Sequence, residues 1–209
     1  MNLLSSFKKV FIMGIGGSGM SSIAKYLKQK GHNVEGYDQR ISYITNLLES
    51  DGVKTFQNLD DFKYQKDVLY IISSAINLED TFLANYYENE NVISRPKFLE
   101  LLSEEVEIIG ITGTHGKTST TALVSHIFHF NNKNASFIYG GVSGFGNLGG
   151  HFGEENQPLI LETDEAFNTF KNINIKDLIV TNIDNDHIDF YKSYENLIDA
   201  FNHVIKNVK

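Results

Sequence analysis

The sequence predicts an α/β protein made of two successive parallel-sheet domains. Three observations carry that prediction. Apolar runs of strand length alternate with stretches of helical periodicity along the chain. Two of the runs pass directly into glycine-bearing loops, "MGIGGSGMSSIA" at 13–24 and "GITGTHGKTSTT" at 110–121, each followed by a helical stretch. And 209 residues suffice for two modest cores.

The elements follow in order. "KKVFIMGI" (8–15) is a continuous apolar run after its lysines, the pattern of a strand covered on both faces. "SSIAKYLKQKG" has apolar residues at Ile23, Ala24, Tyr26 and Leu27 and stops at Gly31, as a helix does. "NVEGYD" (33–38) reads as a strand, "ISYITNLLESDG" (41–52) as a helix ended by Gly52, "DVLYIISSAI" (67–76) as a strand and "EDTFLANYYENE" (79–90) as a third helix. This alternation implies a doubly wound parallel sheet. The pattern restarts near residue 104. "VEIIGIT" (106–112) is a strand, "KTSTTALVSHIFHFNN" (117–132) a helix and "ASFIYGG" (135–141) a strand. Residues 142–157 read as a glycine-rich loop. "PLILET" and "DLIVTNI" are strands, and "YENLIDAFNHVIKN" is a helix. Domains are therefore expected at 1–103 and 104–209.

Composition narrows the function classes. A net charge of −8 offers no basic face for nucleic acid. With no cysteine, disulfides, thiolate catalysis and Cys-based zinc sites are excluded. The opening "MNLLSSFKKVFIMGIGG" reads as a first strand, because its apolar run is short and broken by glycine where a secretion signal needs a longer one. No run approaches the ~20 apolar residues of a membrane-spanning helix. The expectation is a cytoplasmic protein with no nucleic-acid or membrane partner.

The first loop places Gly14, Gly16 and Gly19 as G-x-G-x-x-G between a strand and a helix. Glycines let the backbone turn tightly and approach a pyrophosphate, whose charge meets the free N–H groups of the helix start. Asp38 ends the next strand, where a carboxylate can accept hydrogen bonds from a ribose. This pattern does not separate NAD from other nucleoside diphosphates. The second loop, "TGTHGKTS", carries Gly-Lys-Thr at a strand–helix junction. Its N–H groups would cradle phosphates, Lys117 would reach the β/γ oxygens, and the Thr118 hydroxyl would ligate Mg²⁺. It is a variant of the strict phosphate loop, with Ile111 where that pattern has glycine and with Gly110 and Gly113 alongside. A nucleotide-bound Mg²⁺ needs further oxygen ligands. "LILETDEAF" offers Glu162, Asp164 and Glu165, and "TNIDNDHIDFY" offers Asp184, Asp186, His187 and Asp189, both past strand ends. Two loops of different design suit a chain that holds a nucleotide-linked substrate at one and the ATP that activates it at the other.

Taken in order, "GIGGSGM", "SSAI", "GTHGKTSTT" and "TNIDNDHIDFY" resemble the Mur ligase family of peptidoglycan synthesis, over nearly the whole chain. His115 is similar to the branch that adds the first amino acid. Later ligases of the pathway usually carry Asn there, and the related ligase for recycled murein peptide usually has a different first loop. The resemblance implies a Rossmann-like UDP-substrate domain followed by the N-terminal part of a P-loop ATPase domain. It implies ATP and Mg²⁺ as cofactors. UDP-N-acetylmuramate and L-alanine would be the substrates, joined as an amide through an acyl phosphate. By the same resemblance Gly16, Gly17, Ser18, Gly19 and Met20 face the UDP diphosphate, Asp38 lies near the uridine, and Ser73 and Ser74 line that cleft. Gly113, Thr114, His115, Gly116, Lys117, Thr118 and Ser119 hold the ATP phosphates. Lys117, Glu162 and His187 are the catalytic set. Thr118 and Glu162 ligate one Mg²⁺, and His187 serves a second metal or the γ-phosphate.

The chain departs from the family in places. The family usually reads E-A-D-E-S-D where "ETDEAFN" brings Thr163, Ala166 and Asn168, and Ser119 stands for a commoner Thr. The family has three domains and more than twice this length, so a fragment or split protein missing a C-terminal portion is expected. Such a chain would bind UDP-muramate better than it catalyses, and its unfinished sheet would expose an edge. Two other classes stand beside this one: an NAD-dependent Rossmann protein, which leaves "GTHGKTS" without a purpose, and a non-catalytic nucleotide-binding module.

Overall fold

The computed structural model describes residues 3–142, 147–165, 169–186 and 188–208. The chain divides into two compact units, Met1–Leu101 with Gly140–Phe152, and Leu102–Tyr139 with Gly153–Lys209.

The first unit begins with a one-turn helix α1 (Leu3–Ser6). Its parallel sheet has strands β1 (Lys9–Met13), β2 (Asn33–Tyr37), β3 (Lys54–Phe56), β4 (Val68–Ile72) and β5 (Val92–Ser94) in the order β3-β2-β1-β4-β5. β1 is central, and Val10 to Met13 are all buried, as a strand covered on both faces must be. Met13 pairs with Tyr37 on one side and Ile72 on the other, so the chain's direction of winding reverses across β1. The crevice beyond the strand ends at such a reversal is where open α/β sheets bind ligands. Helices α2 (Ser18–Gln29) and α3 (Tyr43–Ser50) connect these strands. α3 starts with a reciprocal cap: Thr45 N donates to Ser42 Oγ at 3.2 Å, and Ser42 N donates to Thr45 Oγ1 at 2.8 Å.

Residues 79–90 do not form the expected helix. A 3-10 turn at Leu78–Asp80 is followed by successive i→i+3 turns closed by Ala84, Tyr86 and Asn89. The aromatic residues explain this. Phe82 and Leu83 pack into the cluster under β4, and Tyr86 stacks on Tyr64 with ring centroids 4.0 Å apart. Asp80, Thr81, Asn85 and Asn89 resist helix only weakly less than they favour turns. Also not read from the sequence are β3, β5 and the helix α4 (Arg95–Glu105), which buries Phe98, Leu99 and Leu102.

The second sheet has β6 (Ile108–Thr112), β7 (Ser136–Val142), β8 (Leu148–His151), β9 (Leu159–Glu162) and β10 (Asp177–Val180) in the order β10-β6-β9-β7-β8. The pairs β10–β6, β6–β9 and β9–β7 are parallel. Helices α5 (Lys117–Phe130), α6 (Ile188–Tyr191) and α7 (Tyr194–Lys206) accompany it. Part of the expected loop 142–157 is strand β8. That strand belongs to the first unit and lies against α2: Phe152 N donates to Gln29 Oε1 at 2.8 Å, and the Tyr26 and Phe152 rings meet at 5.5 Å. β10 is an edge strand, with Ile179 exposed.

In place of a helix, Asn91 fastens the β4–β5 crossover. It is buried, donates to Val68 O at 2.7 Å and Gln65 O at 3.3 Å, and accepts from Tyr64 Oη at 2.8 Å. Replacing it by alanine strands buried polar groups. The Asn91→Ala variant is expected to lose about 2–3 kcal/mol in urea unfolding followed by circular dichroism, and a loss below about 0.5 kcal/mol would show that water replaces those bonds.

Candidate functional site

The first loop leaves β1 and turns over the end of β2. Gly14 N and Ile15 N both donate to Tyr37 O, at 2.7 and 3.0 Å, and Gly17 N donates to Gly14 O at 3.1 Å. Gly16 N donates to Asp38 Oδ2 at 2.9 Å. A Cβ on Gly16 would come within 2.8 Å of that same oxygen, so the carboxylate approaches this closely only because the residue is glycine. Asp38 therefore fixes the loop. α2 starts after Gly17 with no side-chain cap, which leaves first-turn N–H groups and the positive end of the helix dipole for an anion. Of the residues expected here, Ser18 and Gly19 open that turn, Met20 buries its side chain, Ser73 sits beside Gly14, and Ser74 is exposed. One neighbour escaped the sequence reading. The Arg95 guanidinium lies over Gly19, with Nη2 3.1 Å from where a Cβ would be. Its signal was scarcity: the chain has two arginines, and this one opens a helix directly after a strand.

The second loop is fastened to the segment that leaves β10. Thr114 N donates to Asn182 O at 3.1 Å. The Asn182 side chain accepts from His115 N and donates to His115 O, both at 2.9 Å. Thr181 Oγ1 donates to His115 O at 2.6 Å, and Asp184 N donates to Thr114 Oγ1 at 2.9 Å. Gly113 has φ +128°, and a Cβ there would fall 2.2 Å from Thr181 Oγ1 and 2.7 Å from Asn182 O. Only glycine lets the two segments close. "TNIDND" thus acts through Thr181 and Asn182, which the sequence reading passed over in favour of its acids. Asp186 and Asp189 are exposed, and Asp184 lies 3.9 Å from the His115 ring with both side chains solvated. His187 lies outside the described residues.

α5 begins at Lys117, after Gly116 at φ +82° and again without a side-chain cap. A Cβ on Gly116 would meet nothing within 4 Å, so the space over the loop is open. Thr118 Oγ1 donates to Glu162 Oε1 at 2.7 Å, joining the first turn of α5 to the end of β9. Lys117 Nζ donates to Gly113 O at 2.6 Å, to Thr114 O at 3.3 Å and to the Glu165 carboxylate, whose Oε2 is 2.9 Å away. Glu165 is only 1% exposed. Ser119 is exposed on α5.

These residues fit a nucleotide and its ion. The uncapped helix start and the lysine suit phosphates, and the Thr118 and Glu162 oxygens are hard donors already in contact. Among the described residues no group of three or more His, Cys, Asp or Glu could hold a metal. An ion here would keep waters and phosphate oxygens, as Mg²⁺ does at nucleotide sites. A separate cleft of about 440 Å³ beside α6 and α7, lined by Lys171, Phe190, Asp199 and His203 among others, contains none of the predicted site residues.

If Asn182 is the fastener, Asn182→Ala should loosen the loop without unfolding the sheet. Amide hydrogen exchange at 113–116 is expected to speed up at least about tenfold, the scale of losing two hydrogen bonds. Unchanged exchange would assign the fastening to Thr181 and the backbone alone.

The chain matches two models of one family: "Mur ligase family, catalytic domain" over residues 9–107 and "Mur ligase middle domain" over 111–209. It is 32% identical to the UDP-N-acetylmuramate–L-alanine ligase of Cytophaga hutchinsonii, aligning 99% of this chain with 46% of that protein. It is 37% identical to the same-named ligase of Rickettsia felis, over 99% of this chain and 45% of that one. The crystal structure of the UDP-N-acetylmuramate–alanine ligase MurC from Thermotoga maritima superposes with a TM-score of 0.82 at 28% identity, covering 96% of this chain and 47% of that one. The chain thus spans about half the length of the relatives it matches. With both family models placed in order, and a glycine-rich strand–helix loop at the head of each, the chain belongs to the Mur ligase family.

Proposed function

We propose that this chain is the substrate- and nucleotide-binding portion of an ATP-dependent ligase that joins L-alanine to UDP-N-acetylmuramate in peptidoglycan synthesis. One observation carries the reading. The chain has two uncapped helix starts at strand ends, and only the second adds a lysine and a Thr–Glu oxygen pair. An anion that is merely held needs the first design. A phosphate that is transferred needs the second. The names of the relatives supply the substrates.

On this reading residues 1–103 bind the UDP substrate and 104–209 begin the ATP domain. Ser18, Gly19 and Met20 offer N–H groups to the diphosphate, Gly16 keeps the approach open, Asp38 holds the loop near the uridine, and Gly17, Ser73 and Ser74 border the cleft. Residues Gly113 to Ser119 cradle the ATP phosphates. Lys117 neutralises the β/γ oxygens. Mg²⁺, held by Thr118 and Glu162, would supply further charge neutralisation at the transferred group. His187 is proposed from the sequence alone as a contact to a second metal or the γ-phosphate.

The chemistry explains the need for ATP. A carboxylate does not react with an amine in water until it has a good leaving group. The muramate carboxylate oxygen attacks the γ-phosphorus and ADP leaves. The alanine nitrogen then attacks the acyl carbon, the bond to the phosphate oxygen breaks, and the nitrogen loses a proton. ATP and UDP-sugars place this reaction in the cytoplasm, and no helix among the described residues is long and apolar enough to cross a membrane.

Calorimetric titration with UDP-N-acetylmuramate tests the first site. Saturable binding is expected, with Gly16→Val weakening it at least about tenfold by crowding Asp38 and the diphosphate. Lys117→Ala should leave that titration unchanged and weaken ATP binding. A folded protein that ignores the muramate nucleotide but enhances NADH fluorescence would replace this reading with an NAD-binding one.

A further inference from the structure

We propose that Glu165 is a latch on the phosphate-loop lysine: a buried carboxylate that holds Lys117 inside its own loop and competes with the phosphates of an incoming nucleotide. The inference rests on reading residues 113–119 as a nucleotide loop.

An ammonium group has three N–H donors. Those of Lys117 have three acceptors in the protein: Gly113 O, Thr114 O and the Glu165 carboxylate. The lysine is thus fully engaged before any phosphate arrives. The carboxylate bond is the strong one of the three, because it is charge-assisted and because Glu165 is 1% exposed and so poorly screened by water. Glu165 is also held from behind. Its backbone carbonyl accepts from Tyr191 Oη, and two residues earlier Thr163 N donates to Ile111 O at 2.9 Å, which extends the β9–β6 pairing past the strand end. The carboxylate therefore stays put while the lysine, on four rotatable methylenes, can turn.

A phosphate entering at the start of α5 is a second anion for the same cation. To contact it, Lys117 must give up at least one acceptor, and the phosphate meets the repulsion of Glu165 as well. Glu162, at the end of β9, differs: it is half-buried and accepts from the Thr118 hydroxyl. Glu165 thus restrains nucleotide binding, whereas Glu162 faces the ion.

Glu165→Gln tests this. The amide keeps the size and one carbonyl acceptor but loses the charge. Wild type and variant are titrated calorimetrically with ATP, ADP and AMP, and both are melted to compare Tm. The variant is expected to bind ATP and ADP at least about fivefold more tightly, the scale of one hydrogen bond to a charged group, with AMP unchanged. Unchanged or weaker ATP binding, in a variant melting within a few degrees of wild type, would overturn the latch. So would an equal gain for AMP, which would signal a generally loosened site. Glu165→Asp retreats by one methylene and keeps its charge, so it is expected to gain less than about fivefold; a gain of about fivefold or more would defeat the charge argument even if the Gln variant fails to fold. If the wild type and Glu165→Gln both ignore ATP while the wild type binds UDP-N-acetylmuramate, the nucleotide reading of the loop falls and the latch with it.

Discussion

The second unit depends on the fastening between residues 114–115 and 181–182. It follows from strand order before any side chain is considered. β6 and β10 are parallel neighbours with Thr112 opposite Val180, so both chains leave the sheet at the same edge and side by side. Thr181 N continues the ladder to Thr112 O at 2.9 Å, and Asn182 then grips both polar groups of the His115 peptide. The loop holds its shape with the Thr114 N–H and the His115 peptide bonded to Asn182. A ligand need not spend binding energy ordering it. Gly113 is the cost of so close an approach, since any Cβ would overlap Thr181.

The same construction recurs in the first unit with different chemistry. β1 and β2 are parallel with Met13 opposite Tyr37, so Asp38 emerges beside the loop that follows β1. It takes the Gly16 N–H, while Tyr37 O takes those of Gly14 and Ile15. In each unit a residue just past a neighbouring strand braces the glycine loop. The two differ in what surrounds the helix start. At α2 the nearby charges are the Asp38 carboxylate on Gly16 N and a guanidinium beside Gly19, and at α5 there is an ammonium paired with a buried carboxylate.

Much of this was legible in the sequence, because the strands that matter are central ones. β1, β4, β6 and β9 are largely buried and read as apolar runs, and the loops that follow β1 and β6 carry their glycines in fixed spacing. The strand-end acids offered Glu162 as one of three carboxylates, and its hydrogen bond to Thr118 is seen only in the structure. What escaped was short or decided at a distance. β3 and β5 have three residues each, too few to show a period. β8 is "LGGH", where two glycines mask a strand that exists because Gly150 lies against the Ser22 backbone. Residues 79–90 carry apolar spacing that fits a helix, yet Phe82 and Leu83 are claimed by the core cluster under β4. Arg95, Asn182 and Glu165 act on partners 67 or 48 residues away, as between Asn182 and His115 or Glu165 and Lys117, or across a helix start, and no local pattern encodes that.

The contrast between the two helix starts bears on what each must do in a ligase. A substrate held through several chemical events benefits from a steady positive field, and on the proposed reading the start of α2 and the Arg95 guanidinium beside Gly19 supply one. On the proposed reading a nucleotide enters the second site as a triphosphate and leaves as a diphosphate in each cycle. Binding both forms tightly would lower the concentration needed without raising the rate, because only interactions stronger in the transition state accelerate chemistry. On the latch proposed above, Lys117 would give less than its full charge to a ground-state phosphate and be drawn onto the transferred group only when charge there is greatest. On this view the buried ion pair removes uniform binding from the nucleotide site and leaves the lysine's charge for the step that needs it.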